Sequence, residues 1–308
     1  MPFRTALHSV SYAGVWTGQA RLTLPDFLRK AKTLGYDGVM LMAKRPHLSV
    51  LDFSPLAPGG RGVGGEGVED LRRLLRDLDL KVACLAGYND FTLGSDRPDI
   101  PLREIQILYI RDLARLAQAL DCPLIRVFTS YDDLRTSYDA QWTATVTCLK
   151  ECAQQAAKYN VTVGVQNHHD TAVHYETMFD LLEEINEPNC KAMFDAWAPA
   201  LHGMDLEAAV LKMAPYIVHT TVADYVRRPR FRYQPPLVNY TRETDSIRAV
   251  PMGEGFIDYR GFFKALAKIG YQGSVAYEMC SYLKGGGSEA NLDRCARRFL
   301  EYMQSCQT

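Results

Sequence analysis

Three apolar runs in this chain end on a side chain that could take part in acid–base or cation chemistry. Val161 to Val165 ends on Gln166, Ala192-Met193-Phe194 on Asp195, and Val275-Ala276-Tyr277 on Glu278. The apolar residues read as strands buried on both faces, and a polar group at the tip is what remains free to meet a ligand. Imidazoles stand nearby: His168 follows Gln166 by two residues, and His219 lies in a fourth apolar run, Ile217 to Thr221. Oxygen ligands with an imidazole suit Mg, Mn or a similar divalent ion, with open positions left for substrate oxygens.

Such residues need elements that bring them together, and the chain supplies them in strict alternation. Strands are expected at Ala6–Val10, Gly38–Met42, Lys81–Ala86, Leu124–Phe128, Val161–Gln166, Lys191–Asp195, Tyr216–Thr221 and Gly273–Glu278. Between them lie amphipathic stretches with apolar residues at helical spacing, as in Val68, Leu71, Leu74, Leu75 and Leu78. Eight buried strands, each followed by a helix, imply parallel pairing with right-handed crossovers and closure into a (β/α)8 TIM barrel of one domain spanning residues 1–308. An open doubly wound sheet would usually carry Gly-x-Gly-x-x-Gly after the first strand, where this chain has Ser9-Val10-Ser11-Tyr12-Ala13-Gly14. In a barrel all strand C-termini share one face. There Lys44, His47, Asn89, Arg126 and Asp224 join the candidates as substrate-binding residues.

Two segments stand outside the alternation. A glycine-rich run from Pro58 to Gly67 lacks the Gly-Lys-Ser/Thr ending of a phosphate loop and reads as a connection. Residues 225–255 are long, irregular and rich in Arg and Tyr, and read as a lid loop over the barrel mouth, with Arg228 a further substrate contact.

Composition narrows the partner. Lys and Arg number 35 against 36 Asp and Glu, so the global field favours neither nucleic acid nor an anionic membrane. The eight cysteines form no CxxC pair, no leader-like apolar segment follows Met1, and no apolar run nears membrane-spanning length. A cytoplasmic protein acting on a small molecule is the expectation, and a homo-oligomer is compatible with it.

The chain resembles the xylose-isomerase-like barrels, which include sugar-phosphate isomerases, ketose 3-epimerases and inosose dehydratases. The resemblance rests on Gly35-Tyr36-Asp37-Gly38-Val39, Val165-Gln166-Asn167-His168, Phe194-Asp195, His219 with Asp224, Gly253-Glu254-Gly255-Phe256-Ile257-Asp258-Tyr259, and Gly270-Tyr271 leading to Glu278. It implies one divalent metal, Mn or Mg before Co or Zn, held by Glu, Asp, His and Glu from strands five to eight. Two positions depart from that pattern: Gln166 replaces the first Glu, and Thr221 stands where the His belongs. On this reading Gln166, Asp195, His219 and Glu278 are the metal ligands. Gln166 cannot act as a base, which disfavours a symmetric two-base epimerase. What remains is Glu278 as base with His168 as acid, acting beside a metal-polarised carbonyl. That chemistry gives a metal-dependent isomerase of a sugar or polyol derivative. The alternatives are a lyase or dehydratase acting on a keto-sugar, and a metal-free carbohydrate-binding or partner subunit.

Overall fold

The structure, a computed structural model, describes residues 3–53, 67–95, 97 and 99–306. Most of the glycine-rich run beginning at Pro58 lies outside the described residues. The barrel strands are β1 (Arg4–His8), β2 (Gly38–Met42), β3 (Lys81–Ala86), β4 (Leu124–Val127), β5 (Thr162–Gln166), β6 (Cys190–Met193), β7 (Ile217–Val222) and β10 (Ser274–Tyr277). They close as β1-β10-β7-β6-β5-β4-β3-β2, every pair parallel, as the alternation predicts.

Helices α1 (Leu24–Leu34), α2 (Val68–Asp77), α3 (Leu102–Ala119), α4 (Tyr138–Ala157), α5 (Tyr175–Ile185), α7 (Leu206–Met213), α8 (Tyr259–Lys268) and α9 (Glu289–Ser305) connect or close the strands. A short α6 (Trp197–Leu201) precedes α7. Local sequence sets their ends. Thr23 caps α1 by accepting from the Asp26 N–H, and Gly35 stops it in the left-handed conformation at φ +94°.

One apolar layer fills the space between strands and helices, including Phe27, Leu28, Ile110, Leu149, Phe262 and Phe299. A second, smaller cluster lies inside the barrel, where Ala6, Met40, Cys84, Leu124, Met193 and Ala276 meet. Small and flexible side chains fill the barrel axis. Cys148 and Cys152 on α4 are buried free thiols.

The stretch read as an irregular lid is instead a long hairpin. β8 (Asp224–Gln234) pairs antiparallel with β9 (Asn239–Val250) from Asp224–Val250 to Gln234–Asn239. Its register shifts between Arg228 and Arg230, around Pro229, which has no N–H to give the ladder. Phe231, Leu237, Val238 and Tyr240 near the tip are exposed. Such a two-strand arm is marginal by itself in water, so it depends on its root. There the buried carboxylate of Asp224 accepts from the N–H groups of Gly253 (2.9 Å), Gly255 (2.9 Å) and Tyr225 (3.0 Å). The Gly253-Glu254-Gly255 motif is thus a backbone clamp. A Cβ on Gly255 would stand 1.8 Å from Asp224 Oδ1 and 2.6 Å from the Tyr225 nitrogen.

His47 also proves structural. Its Nε2 lies 3.1 Å from the Leu22 carbonyl and its ring stacks on Phe27. Burial is the main reason its pKa falls to about 4, with Arg21 adding to the drop and the Leu22 contact opposing it.

Two outcomes follow from these contacts. Gly255→Ala is expected to destabilise the fold by about 2–4 kcal/mol, because backbone and a bonded carboxylate cannot yield; denaturant unfolding measures it. His47 is neutral in the fold and titrates near its ordinary pKa when unfolded, so its contribution is complete above that pKa and is lost as pH falls through the folded value. Between pH 7 and pH 4 the stability gap between wild type and His47→Gln should shrink by about 3 kcal/mol, read from unfolding curves at each pH.

Candidate active site

The mouth of the barrel carries a continuous polar chain. On β4, Arg126 is 2% exposed, and its Nη1 donates to Gln166 Oε1 at 2.8 Å. Gln166, the last residue of β5, turns its amide nitrogen to Asp195 Oδ2 (2.5 Å) and Thr221 Oγ1 (3.2 Å). Asp195 lies two residues beyond β6. Its carboxylate also accepts from the Thr221 N–H (2.6 Å) and hydroxyl (2.6 Å) and from the Thr220 hydroxyl (3.3 Å). Asn167 fixes its backbone, accepting from the Asp195 N–H and donating to the Asp195 carbonyl. Glu278 follows β10, with its side chain 17% exposed, and faces His8 Nε2 at 3.9 Å.

Gln166, Asp195, Thr221 and Glu278 line one cavity of about 270 Å³ together with His168, Trp197, Tyr225 and Ile247. Tyr225 and Ile247 come from the root of the hairpin, which supplies an apolar wall. Opposite lies a stack of rings and cations. The Arg126 guanidinium sits 3.9 Å from the Phe128 ring centre and 4.9 Å from that of Tyr88, and Lys44 Nζ lies 3.8 Å from Tyr88.

Burial governs the protonation states here. It raises Asp195 to about 6 against its hydrogen bonds from Thr221 and Gln166. It also raises Glu278, with Arg126 the chief opposing influence. The imidazoles move the other way. Burial, reinforced by Arg126, lowers His168 and His169 to about 4 and His219 to about 3. His8 falls well below its ordinary value for the same reasons. The histidines are therefore neutral at physiological pH. His168 Nδ1 accepts from the His169 N–H at 2.7 Å, which puts the imidazole hydrogen on Nε2. A neutral N–H donor and a buried carboxylate thus line the same cavity.

The expected site residues divide into those the fold gathers and those it uses elsewhere. Gln166, His168, Asp195 and Glu278 converge on the cavity. His219 does not. It is buried inside the barrel and borders a separate space at the opposite end with Arg4, Asp37 and Lys81, while Thr221 takes the cavity-facing position. The two stand two residues apart along β7, which sets His219 about 7 Å deeper in the barrel. Asn89 spends its amide on the Phe128 backbone, donating to its carbonyl (2.7 Å) and accepting from its N–H (2.9 Å). It therefore positions the ring under Arg126. Asp224 and His47 hold backbone, as described above. Arg228 is exposed on the hairpin, and Lys44 is at the rim over Tyr88. Thr221, Trp197 and Tyr225 are cavity residues that residue type alone does not flag. Thr221 is marked in the sequence only by standing where the resemblance places a histidine; Trp197 and Tyr225 have only their position shortly after a predicted strand.

The donor set does not fit a divalent cation. Both oxygens of Asp195 accept two hydrogen bonds each, which fills their lone pairs, and Gln166 presents N–H rather than oxygen to Asp195 because its oxygen is held by Arg126. Among the described residues no three or more His, Cys, Asp or Glu side chains converge as a ligand set. Among them, too, no helix is long and apolar enough to cross a membrane.

Comparison with known proteins agrees with the barrel. A search of curated proteins returns no match. Among solved structures, the chain is similar to D-psicose 3-epimerase from Clostridium cellulolyticum H10, at 19% identity and TM-score 0.72 over 98% of this chain and 99% of that one. It is similar to 3-keto-D-glucoside 4-epimerase from E. coli, at 15% identity and TM-score 0.72 over 99% and 100%. It is also similar to a probable 3-DHS dehydratase from Bacillus anthracis, at 16% identity and TM-score 0.70 over 99% of each chain. At these identities the likeness speaks for the fold. A family model described as xylose isomerase-like TIM barrel matches residues 28–302, and the chain belongs to that family.

Proposed function

We propose that this protein is an isomerase of a small sugar or polyol derivative that removes a proton from the carbon next to a carbonyl. One observation carries the reading: a half-buried carboxylate, Glu278, and an imidazole held as a neutral Nε2–H donor, His168, border one cavity. Glu278 takes the carbon-bound proton, and the electron pair moves to the carbonyl oxygen, which accepts a hydrogen bond from His168. His168 Nε2–H passes its proton to that oxygen and recovers one from the neighbouring hydroxyl, which becomes the new carbonyl, while Glu278 returns the carbon-bound proton to the former carbonyl carbon; the isomerisation is then complete and both groups are restored. Gln166 supplies no second base, so both transfers fall to Glu278 on one side of the substrate. The Asp195–Thr221–Gln166 bonds hold the floor of the site rigid while this happens. The divalent ion implied by the resemblance has no part in these steps.

A lyase is the second reading, and the apolar wall of Trp197, Tyr225 and Ile247 favours it. Such a wall suits a sugar carrying a bulky group, and the same enolate can expel a leaving group from the next carbon. The epimerases and the dehydratase among the structural neighbours support this general class of chemistry for the chain.

Incubation with aldoses, ketoses and keto-sugars in deuterated water, followed by NMR, tests both readings. Exchange of a carbon-bound hydrogen with formation of an isomer is expected. Glu278→Gln should lower the rate by about 10³-fold and His168→Asn by about 10²-fold, with thermal stability nearly unchanged. Release of water or aglycone with no isomer would move the assignment to the lyase. Absence of exchange with every sugar tried would leave neither standing.

A further inference from the structure

We propose that Arg126 is the resident cation of this site, fixed by Gln166 in the charge role that a divalent metal fills in the pattern the chain resembles, and that the site works without such an ion. Three observations carry this. First, the guanidinium is buried at the mouth of the barrel, acts on the charge of Glu278, and through its Nη1 hydrogen bond takes the oxygen of the residue at the first position of the expected ligand set, Gln166. Second, Gln166 relays that contact to Asp195 by donating to it, so a position that would bring a negative charge brings N–H groups instead. Third, the position that would bring an imidazole brings Thr221, whose backbone and hydroxyl fill the remaining acceptor sites of Asp195.

The two departures from the family pattern are therefore one device. Glutamine is the side chain of its length that accepts from a guanidinium at one end and donates to a carboxylate at the other. Threonine has the right reach to close the far side of the same carboxylate. Arg126 is held for this place: Phe128 lies against its plane, and Asn89 pins the Phe128 backbone on both sides. Its Nε and Nη2 make no hydrogen bond among the described residues, so no carboxylate neutralises the charge directly. A guanidinium left in that state projects its field into the mouth of the barrel. It acts as a positioning residue, setting the charge state of its neighbours while Glu278 and His168 meet the substrate.

Titration of the purified full-length chain with Mn, Mg, Co and Zn ions tests the inference, and does so apart from the proposed reaction. The wild-type protein is expected to carry less than about 0.1 equivalent of any of them by elemental analysis, and to show no shift in melting temperature and no saturable calorimetric heat. Arg126→Met combined with Gln166→Glu and Thr221→His should gain about one Mn per chain with a higher melting temperature, whereas Arg126→Lys, which keeps the charge, should stay empty. Stoichiometric Mn binding by wild type that is lost in Asp195→Asn would overturn the inference. So would failure of a folded triple variant to take up Mn. In the deuterium-exchange assay, activity that survives a chelator supports it and activity abolished by one refutes it. If no sugar is exchanged at all, the proposed function fails while the titration still decides the role of Arg126.

Discussion

The hydrogen-bonded line from Arg126 through Gln166 to Asp195 and Thr221 is the constraint on which the mouth of this barrel depends. It runs across four adjacent strands, β4 to β7, and ties the ends of each to the next. Burying a guanidinium and a carboxylate at one level of a barrel is costly unless both are satisfied, and the amide between them serves each with the correct end. A carboxylate at 166 would pair with Arg126 directly and repel Asp195. An apolar residue would leave Arg126 without its hydrogen-bond partner and take one of four bonds from Asp195. The identity of residue 166 therefore determines where charge resides in the whole site.

Much of this architecture is legible from sequence because the physics that forms it is local. All eight barrel strands fall within two residues of their expected bounds; β1 is shifted two residues earlier at both ends, with Ser9–Tyr12 turning into a short 3-10 segment. The hairpin escapes because strand recognition needs one buried face. Arg228, Arg230, Phe231, Arg232 and Tyr233 are exposed on both faces of β8, so no alternation marks them, and Pro229, Pro235 and Pro236 argue against a strand. Their pairing is set by the clamp at Asp224, a tertiary contact that no window of sequence contains.

The candidate site was legible only in part, for a related reason. Residue type shows that a side chain can bind something, and it does not show whether the backbone has already claimed it. Gln166, Asp195 and Glu278 end strands and reach the cavity as expected. Asn89, His47 and Asp224 have equally suitable chemistry, yet their polar atoms go to the Phe128 backbone, the Leu22 carbonyl and the Gly253–Gly255 turn. The exchange of His219 for Thr221 has another origin. The two residues are two apart on one strand, so His219 lies about 7 Å deeper along β7 than Thr221, below the level of the mouth.

The electrostatics of the mouth suit a reaction in which negative charge moves and is not created. Before proton abstraction the charge is on Glu278; afterwards Glu278 is neutral and the charge is on the enolate oxygen beside His168. The total seen by Arg126 is the same in both states, so a single fixed positive charge can stabilise each without reorganising. The neutral histidines fit this arrangement. His8, His168, His169 and His219 are all held below their ordinary pKa, so none adds a second cation that would trap Glu278 in its charged form. A dication in the same mouth would instead be repelled by the buried guanidinium. With glutamine and threonine in place of two of its ligands, little is left in this donor set to offset that repulsion, and one monovalent cation anchored through an amide is the consistent alternative.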